Sequence, residues 1–568
     1  MPPAGPRTGS NAWSDSRGAQ IASLVLIAVT TIAARLPFLL RGSRFFDSDE
    51  AVEGLMARHV LLGELPMFLW GQRYKGVPEV YLSAAALHWW PAGVVALKAV
   101  TLGCFALYAC LNFRLLTELF SRRIAWIATA LLIAGPPSLV FWTLSGSAEM
   151  VMSFIAGTTL CLGVMAWRRT GSRTGLVAAA FALGFGLWVQ QYILYYVVAV
   201  AVAAAAADWT PQGRASLREH FTFRMRPAWL RFVLAAVAAA ACVYAALGAA
   251  AFFGAGFDLT AAGVRVTVTH PQKMWWIAAA LGLMATAVFI IGQLTWTTIT
   301  NVWMAPALGF LLGYSPALFG QLLADGPGAP MARMDLAGLR SAVSPFTGTV
   351  LPIIFGFRSP TTEILAVPGW SAAIIAIAIV ASYVGLRRAG RVGPGTAFRS
   401  TFHVFLITTP IVFVLSGAYI DEQSYRYLMP LYAALPVVYA VGIDTVLRGN
   451  KIAGVALLTG LVALFVWQQA DWYRRLEPDR ESPAVVSCLD RAGIRAAYAD
   501  YWVSYKVTFL TGERVILAPN NGVDRYPPYT ALARAQPSPQ TIGRVPPAAD
   551  NPIACQSIVQ ATPPRRLR

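Results

Sequence analysis

The feature that most constrains this chain is a succession of apolar runs, each about 17–25 residues long, separated by short polar or basic stretches. A run of that length matches the hydrocarbon core of a bilayer, and a helix satisfies its own backbone hydrogen bonds in lipid. Such runs occur at 21–40, 97–119, 124–143, 149–167, 175–189, 192–207, 231–253, 275–296, 301–320, 369–386, 402–418, 428–446 and 452–470. The expected fold class is therefore a polytopic α-helical membrane protein with about 13 transmembrane helices. The pieces 175–189 and 192–207 are short, and a further run at 342–357 is broken. Composition agrees: 13% of residues are charged, against about 25% in soluble domains.

The net charge of +18 at first suggests a nucleic-acid partner. The basic residues, however, cluster between apolar runs, at Arg122-Arg123, Arg168-Arg169-Arg173, Arg214–Arg226, Arg387–Arg399 and Arg448-Lys451. That is the pattern of cytoplasmic loops, so no nucleic acid is expected. It places the N-terminus inside and the C-terminus outside. Residues 1–20 are rich in Pro, Gly and Ser and are expected to be a disordered cytoplasmic N-terminus. Ile32-Ala33-Ala34 resembles a signal-peptide cleavage site, but the apolar run continues through Leu40, which favours an uncleaved anchor. Abundant Ala, Arg, Pro and Gly suggest a high-GC bacterium and hence the plasma (inner) membrane.

The chain divides into 21–470, the transmembrane domain, and 471–568, expected to be a small extracytoplasmic α/β domain with a Pro-rich tail. In the latter, SPAVVSCLDRAG reads as a helix, IRAAYADYW as a strand, YKVTFLTG as a helix and RVILAP as a strand. Cys488 and Cys555 are its two cysteines and are expected to form a disulfide on the oxidising side. Cys104, Cys110, Cys161 and Cys242 lie in spans as small apolar packing residues. The five histidines are scattered, so no metal and no cofactor are expected.

Against this apolar background stands a charged first outer loop, 41–92. It carries Asp47, Asp49, Glu50, Glu53, Arg58, His59, Arg73, Lys75 and Glu79 among aromatics. Asp47-Ser48-Asp49-Glu50 precedes a stretch with apolar residues at helical spacing, expected to be an amphipathic helix lying in the interface. Asp47 and Glu50 have capping-box spacing, and Asp49 suits the helix dipole. From the residues alone, capping and catalysis both stay open.

The loop also carries a resemblance. Asp49-Glu50, Gly54-Leu55-Met56-Ala57, Trp70-Gly71-Gln72-Arg73-Tyr74-Lys75-Gly76 and Glu79 resemble the first outer loop of bacterial dolichyl-phosphate-mannose protein mannosyltransferase-like enzymes. These belong to the GT-C superfamily of membrane glycosyltransferases, which includes lipid A aminoarabinose transferases. Tyr425-Arg426-Tyr427-Leu428-Met429-Pro430-Leu431-Tyr432 is similar to the family's late RYLLPLY-type motif. The likeness covers 41–170 and 415–445 and is weak between them. Trp70 stands where the pattern has Tyr, and Val77-Pro78 replaces a Ser/Leu-like pair, which puts the shape of the headgroup pocket in question.

The resemblance implies a GT-C transferase using a polyprenyl-phosphate-linked sugar donor at the outer membrane face. The acceptor is a protein, lipid or polysaccharide hydroxyl. A phosphate-linked sugar has a good leaving group, so the site needs a carboxylate for the acceptor proton and cations for the phosphate. By resemblance Asp49 is the base or orienting carboxylate, and Glu50 supports it or caps the helix. A helix N-terminus weakens a carboxylate as a base, which desolvation on donor binding has to offset. Expected phosphate contacts are Arg426, with Tyr425 beside it, and then Lys75, with Arg73 and Tyr74 in the same loop. The bland alternatives are a snorkelling anchor for Arg426 and a solvated loop for Lys75 and Arg73. Glu79 either binds sugar hydroxyls or holds a loop cation, and Glu149 could line the donor groove. Gln190-Gln191-Tyr192, Arg265, His270, Arg333 and Arg340 are weaker candidates. Tyr526-Pro527-Pro528-Tyr529 could stack on sugar or form a rigid turn. A flippase or transporter, or a glycan polymerase or ligase, is the alternative; the acids crowd one membrane mouth, which favours surface chemistry over transport.

Overall fold

The computed structural model describes residues 17–90, 93–208, 228–253, 257–261, 264–268, scattered positions between 274 and 285, 304–323, 343–389, 399, 401–416, 422–536, 540–542 and 559–561. The chain is mostly helical. Its first half runs α1 (Arg17–Leu40), α2 (Ser48–Leu61), a short hairpin β1 (Phe68–Leu69) and β2 (Gln72–Gly76), then α3 (Pro78–Trp89) and α4 (Val94–Leu119). There follow α5 (Arg122–Ala134), α6 (Pro137–Trp142), α7 (Glu149–Thr170), α8 (Arg173–Val189) and α9 (Ile193–Asp208). Strands β3 (Phe257–Ala261) and β4 (Val264–Val268) form a separate hairpin.

Among the described residues, five helices are long and apolar enough to cross a membrane: α1, α4, α7, Phe232–Phe252 and Lys451–Arg475. A sixth is reached if Ser424–Ala433 and Leu435–Gly449, bent by 42°, form one broken span. The shorter apolar helices Arg173–Val189, Ile193–Ala204, Val343–Ile354 and Ser371–Gly385 fall below that length. The expected run 275–296 lies largely outside the described residues. Two expected spans are interrupted for one reason. Pro136 and Pro137 have no N–H to donate, so the run 124–143 divides into α5 and α6. The late run begins as a 3-10 segment through Pro430, and a regular helix resumes at Leu435 with Pro436 in its first turn.

Beyond the last long helix lie helix Glu481–Arg491, β5 (Ala496–Ala499), helix Tyr501–Leu510, β6 (Ile516–Pro519), helix Pro527–Arg534, β7 (Gln540–Ile542) and β8 (Val559–Ala561). The sheet order is β6-β5-β7-β8, with β5 parallel to both neighbours and β8 antiparallel to β7. Parallel β5 and β6 need a crossover, which Tyr501–Leu510 supplies. A small core of Val485, Cys488, Leu489, Ala497, Ala499, Val507, Val515 and Leu517 fills this α/β layer. Cys488 is 2% exposed, and Cys555 lies outside the described residues.

The expectation of an interfacial helix at 51–62 is corrected: α2 is buried on nearly every side. Ala51, Val52, Leu55, Met56 and Ala57 share one core with Leu97 of α4 and with Tyr501, Tyr505, Phe509 and Tyr529 of the C-terminal layer. Arg58 at its end donates to the Phe509 carbonyl at 2.6 Å and lies over the Phe509 ring at 4.1 Å. The close approach depends on Gly54, where an added Cβ would come within 2.5 Å of the Phe509 ring and 2.7 Å of Leu97. Gly54→Val should therefore overpack this junction, cost about 1–3 kcal/mol and speed proteolytic release of the C-terminal layer; an unchanged cleavage rate would contradict this packing.

Candidate active site

The start of α2 is set by Asp47, whose backbone is extended and whose carboxylate accepts from Glu50 N at 2.9 Å. This is half of the expected capping box. Glu50 does not reach back to the cap. Its carboxylate points inward, accepting from Lys98 Nζ at 2.9 and 2.7 Å and from Gly146 N at 2.6 Å. At 1% exposure it lies in the interior, paired with Lys98. Burial pushes the Glu50 carboxyl up to about 7, against the pull of Lys98.

One turn further along α2 lies a second buried cluster. Lys75 Nζ is 2.8 Å from Glu53 and 3.1 Å from Glu149, and Ser147 Oγ donates to Glu53 at 2.7 Å. Glu79 is 0% exposed, and neither of its oxygens has a hydrogen-bond partner among the described residues. Glu53, Glu79 and Glu149 bring one oxygen each within 4.8 Å of one another, a grouping that could hold a metal ion. The Lys75 ammonium already binds two of the three, and a cation there would have to displace it. Desolvation, with Glu149 beside it, raises Glu53 to about 7 despite Lys75. Desolvation and then the neighbouring acids raise Glu79 well above the usual carboxylate range. Lys75, Glu79 and Glu149 are all buried, and Lys75 and Glu149 are paired with each other. Arg73 is half-buried, its carbonyl accepts from Gln321 at 3.2 Å, and its Nη2 has no partner among the described residues. The weaker candidates Arg265, His270, Arg333 and Arg340 are not among the described side chains.

The remaining acid of the motif faces outward. The Asp49 side chain is 34% exposed and lies 4.0 Å from Arg426 Nη1. Arg426 donates to the Tyr427 hydroxyl at 3.3 Å, and Tyr425 is 1% exposed against Trp142. Arg426 thus lies beside Asp49, whereas Tyr425 packs in the core. Two residues of the C-terminal layer, which sequence reasoning missed, complete the surroundings. The Tyr501 hydroxyl donates to Asp49 Oδ1 at 2.5 Å, and Arg525 Nη2 lies 3.5 Å from the same oxygen. Arg525 Nε donates to the Tyr501 hydroxyl at 3.2 Å. With its amide oxygen toward the guanidinium, Gln72 accepts from Arg525 Nη1 and Nη2 at 2.5 and 2.9 Å. Tyr74 belongs to this front: burial raises its hydroxyl, and Arg525, Lys75 and Arg426 oppose the shift.

The Tyr526–Tyr529 segment is a docking element. Tyr526 stacks on Trp70 at 4.0 Å with an interplanar angle of 22°, and the Tyr529 hydroxyl donates to Glu513 at 2.6 Å. His59 bridges Glu64 at 2.7 Å and Glu513 at 3.0 Å. Burial works to lower His59, but these two carboxylates outweigh it and raise it.

No family model and no curated protein matches the chain. Among solved structures it is similar to ArnT from Cupriavidus metallidurans in the apo state, at 10% identity and a TM-score of 0.47, covering 91% of this chain and 89% of that one. It is similar to the same protein bound to undecaprenyl phosphate, at 11% identity and a TM-score of 0.46, covering 92% and 89%. It is also similar to the Archaeoglobus fulgidus oligosaccharyltransferase in complex with zinc and sulfate, at 14% identity and a TM-score of 0.44. That match covers 87% of this chain and spans 62% of the archaeal protein's length.

The shifts at Glu50, Glu53, Glu79 and His59 all point upward. The folded state then binds more protons than the unfolded chain above about pH 4.5, so stability falls as pH rises from there through 7. The thermal midpoint in detergent should decline across that range, and Glu79→Gln should make the decline shallower; a midpoint that rises toward pH 8 would contradict the buried clusters.

Proposed function

We propose that the chain is a GT-C-type inverting glycosyltransferase of the bacterial plasma membrane, with an inside N-terminus and an outside C-terminal domain. It moves a monosaccharide from a polyprenyl-phosphate donor to an acceptor hydroxyl on a protein, lipid or polysaccharide at the outer face. The observation that carries this reading is the contrast among the loop's acids. Glu50, Glu53 and Glu79 are buried, while Asp49 stays partly exposed between the guanidinium groups of Arg426 and Arg525. A carboxylate beside paired arginines suits a reaction that needs a proton acceptor and a phosphate holder together.

In the proposed step the acceptor oxygen attacks the anomeric carbon while Asp49 takes its proton. The bond from that carbon to the phosphate oxygen breaks, and the electron pair leaves with the lipid phosphate toward Arg426. A single displacement inverts the anomeric centre. Arginines supply the positive charge, so the reaction is read as metal-independent. Asp49→Asn should reduce single-turnover release of polyprenyl phosphate by about 10²–10⁴-fold, the usual worth of a general base, and a chelator should leave wild-type release unchanged. Equal release by the folded variant would remove Asp49 from the chemistry. Loss of release on chelation would overturn the metal-independent reading. No release from any lipid-phosphate sugar, with acceptors present, would favour transport.

A further inference from the structure

We propose that Arg525, carried by the C-terminal layer, is a second phosphate-binding residue, and that the donor's phosphate frees Asp49 by drawing both arginines away from it. The inference rests on the transferase reading above and adds to it a residue and an activation step.

Asp49 is flanked by cations on both sides as it stands. Its Oδ1 accepts from Tyr501 and faces Arg525, and its Oδ2 faces Arg426. The Tyr501 hydroxyl takes one acceptor site, and the two cations flank the carboxylate where an incoming hydroxyl has to approach. The charges do not balance either: two guanidinium groups share one carboxylate, and neither has another ion-pair partner among the described residues. Arg525 holds this imbalance at a side-chain exposure of 9%, where solvent screens it little. The missing partner is an anion. A sugar phosphodiester carries one negative charge, and the departing phosphomonoester approaches two, so a pair of arginines suits the leaving group better than the bound donor.

The loop motif explains how a residue some 450 positions away is held here. Gln72 accepts from both terminal nitrogens of Arg525, and Trp70 stacks on the adjacent Tyr526. Between them Gly71 has φ +69°, and a Cβ there would press to 3.4 Å from the Arg525 Cα. From the other side, the Tyr505 hydroxyl accepts from Arg525 N at 2.7 Å. Trp70-Gly71-Gln72 is therefore a socket for Arg525, which holds its guanidinium against Tyr501 through Nε and toward Asp49 through Nη2, where an anion would take the place of the carboxylate.

The test uses the full chain in lipid nanodiscs with farnesyl phosphate as probe, and with farnesol and inorganic phosphate as controls. Arg525→Gln and Arg426→Gln should each weaken farnesyl phosphate binding by about tenfold or more, as expected for a lost charge-assisted contact. Asp49→Asn should tighten binding several-fold, because the competing carboxylate is gone; this partly exposed position also serves if Arg525→Gln loosens the C-terminal layer. Wild-type affinity in a proteolytically intact Arg525→Gln, or no gain in Asp49→Asn, would overturn the inference and leave the transferase reading standing. Binding of farnesol as tight as farnesyl phosphate would overturn both. Equal binding of inorganic phosphate would keep the anion site and overturn its lipid ligand.

Discussion

The structure depends on the burial of one 14-residue helix, α2, between the membrane body and the C-terminal layer. That helix begins with three acids, and burying ionised carboxylates costs several kcal/mol each unless they are paired or protonated. Two lysines from neighbouring segments answer two of them, Lys98 for Glu50 and Lys75 for Glu53. These pairs fix the rotation and depth of α2. Asp49 and Glu53 are one turn apart and lie on the same helix face, yet Glu53 is sealed and Asp49 stays partly exposed. A single accessible carboxylate is what remains when the others have been neutralised.

The C-terminal layer is part of the site. Tyr501 and Arg525 approach Asp49 from one side, and Arg426, from the broken late span, approaches from the other. The apolar seam of Leu55, Phe509 and Tyr505 lies directly behind, so packing sets the positions of the polar groups. The same seam supports the grip of Arg58 on Phe509 and the bridge of His59 between Glu64 and Glu513. Loosening the seam would therefore alter the charge arrangement at Asp49 as well as stability.

Much of this was legible in the sequence because it is local. Hydropathy over about 20 residues located α1, α4, α7 and the helix ending at Arg475. Asp47 declared itself as a cap three residues before the N–H it accepts. The order of helices and strands from 481 to 519 followed from alternating composition. Prolines broke two expected spans because their effect depends on register within a helix, which hydropathy does not read.

What the sequence by itself determined was a membrane-embedded helical chain with one acidic loop and an arginine, Arg426, at the same mouth. Only the tertiary structure decided which acids are buried and paired with lysine and which one stays partly exposed beside arginines. Glu50 meets Lys98 across 48 residues, and Asp49 meets Tyr501 across 452. No local pattern encodes such pairings, because the free energy of a charge depends on its burial and its neighbours, and both are set by packing between distant segments.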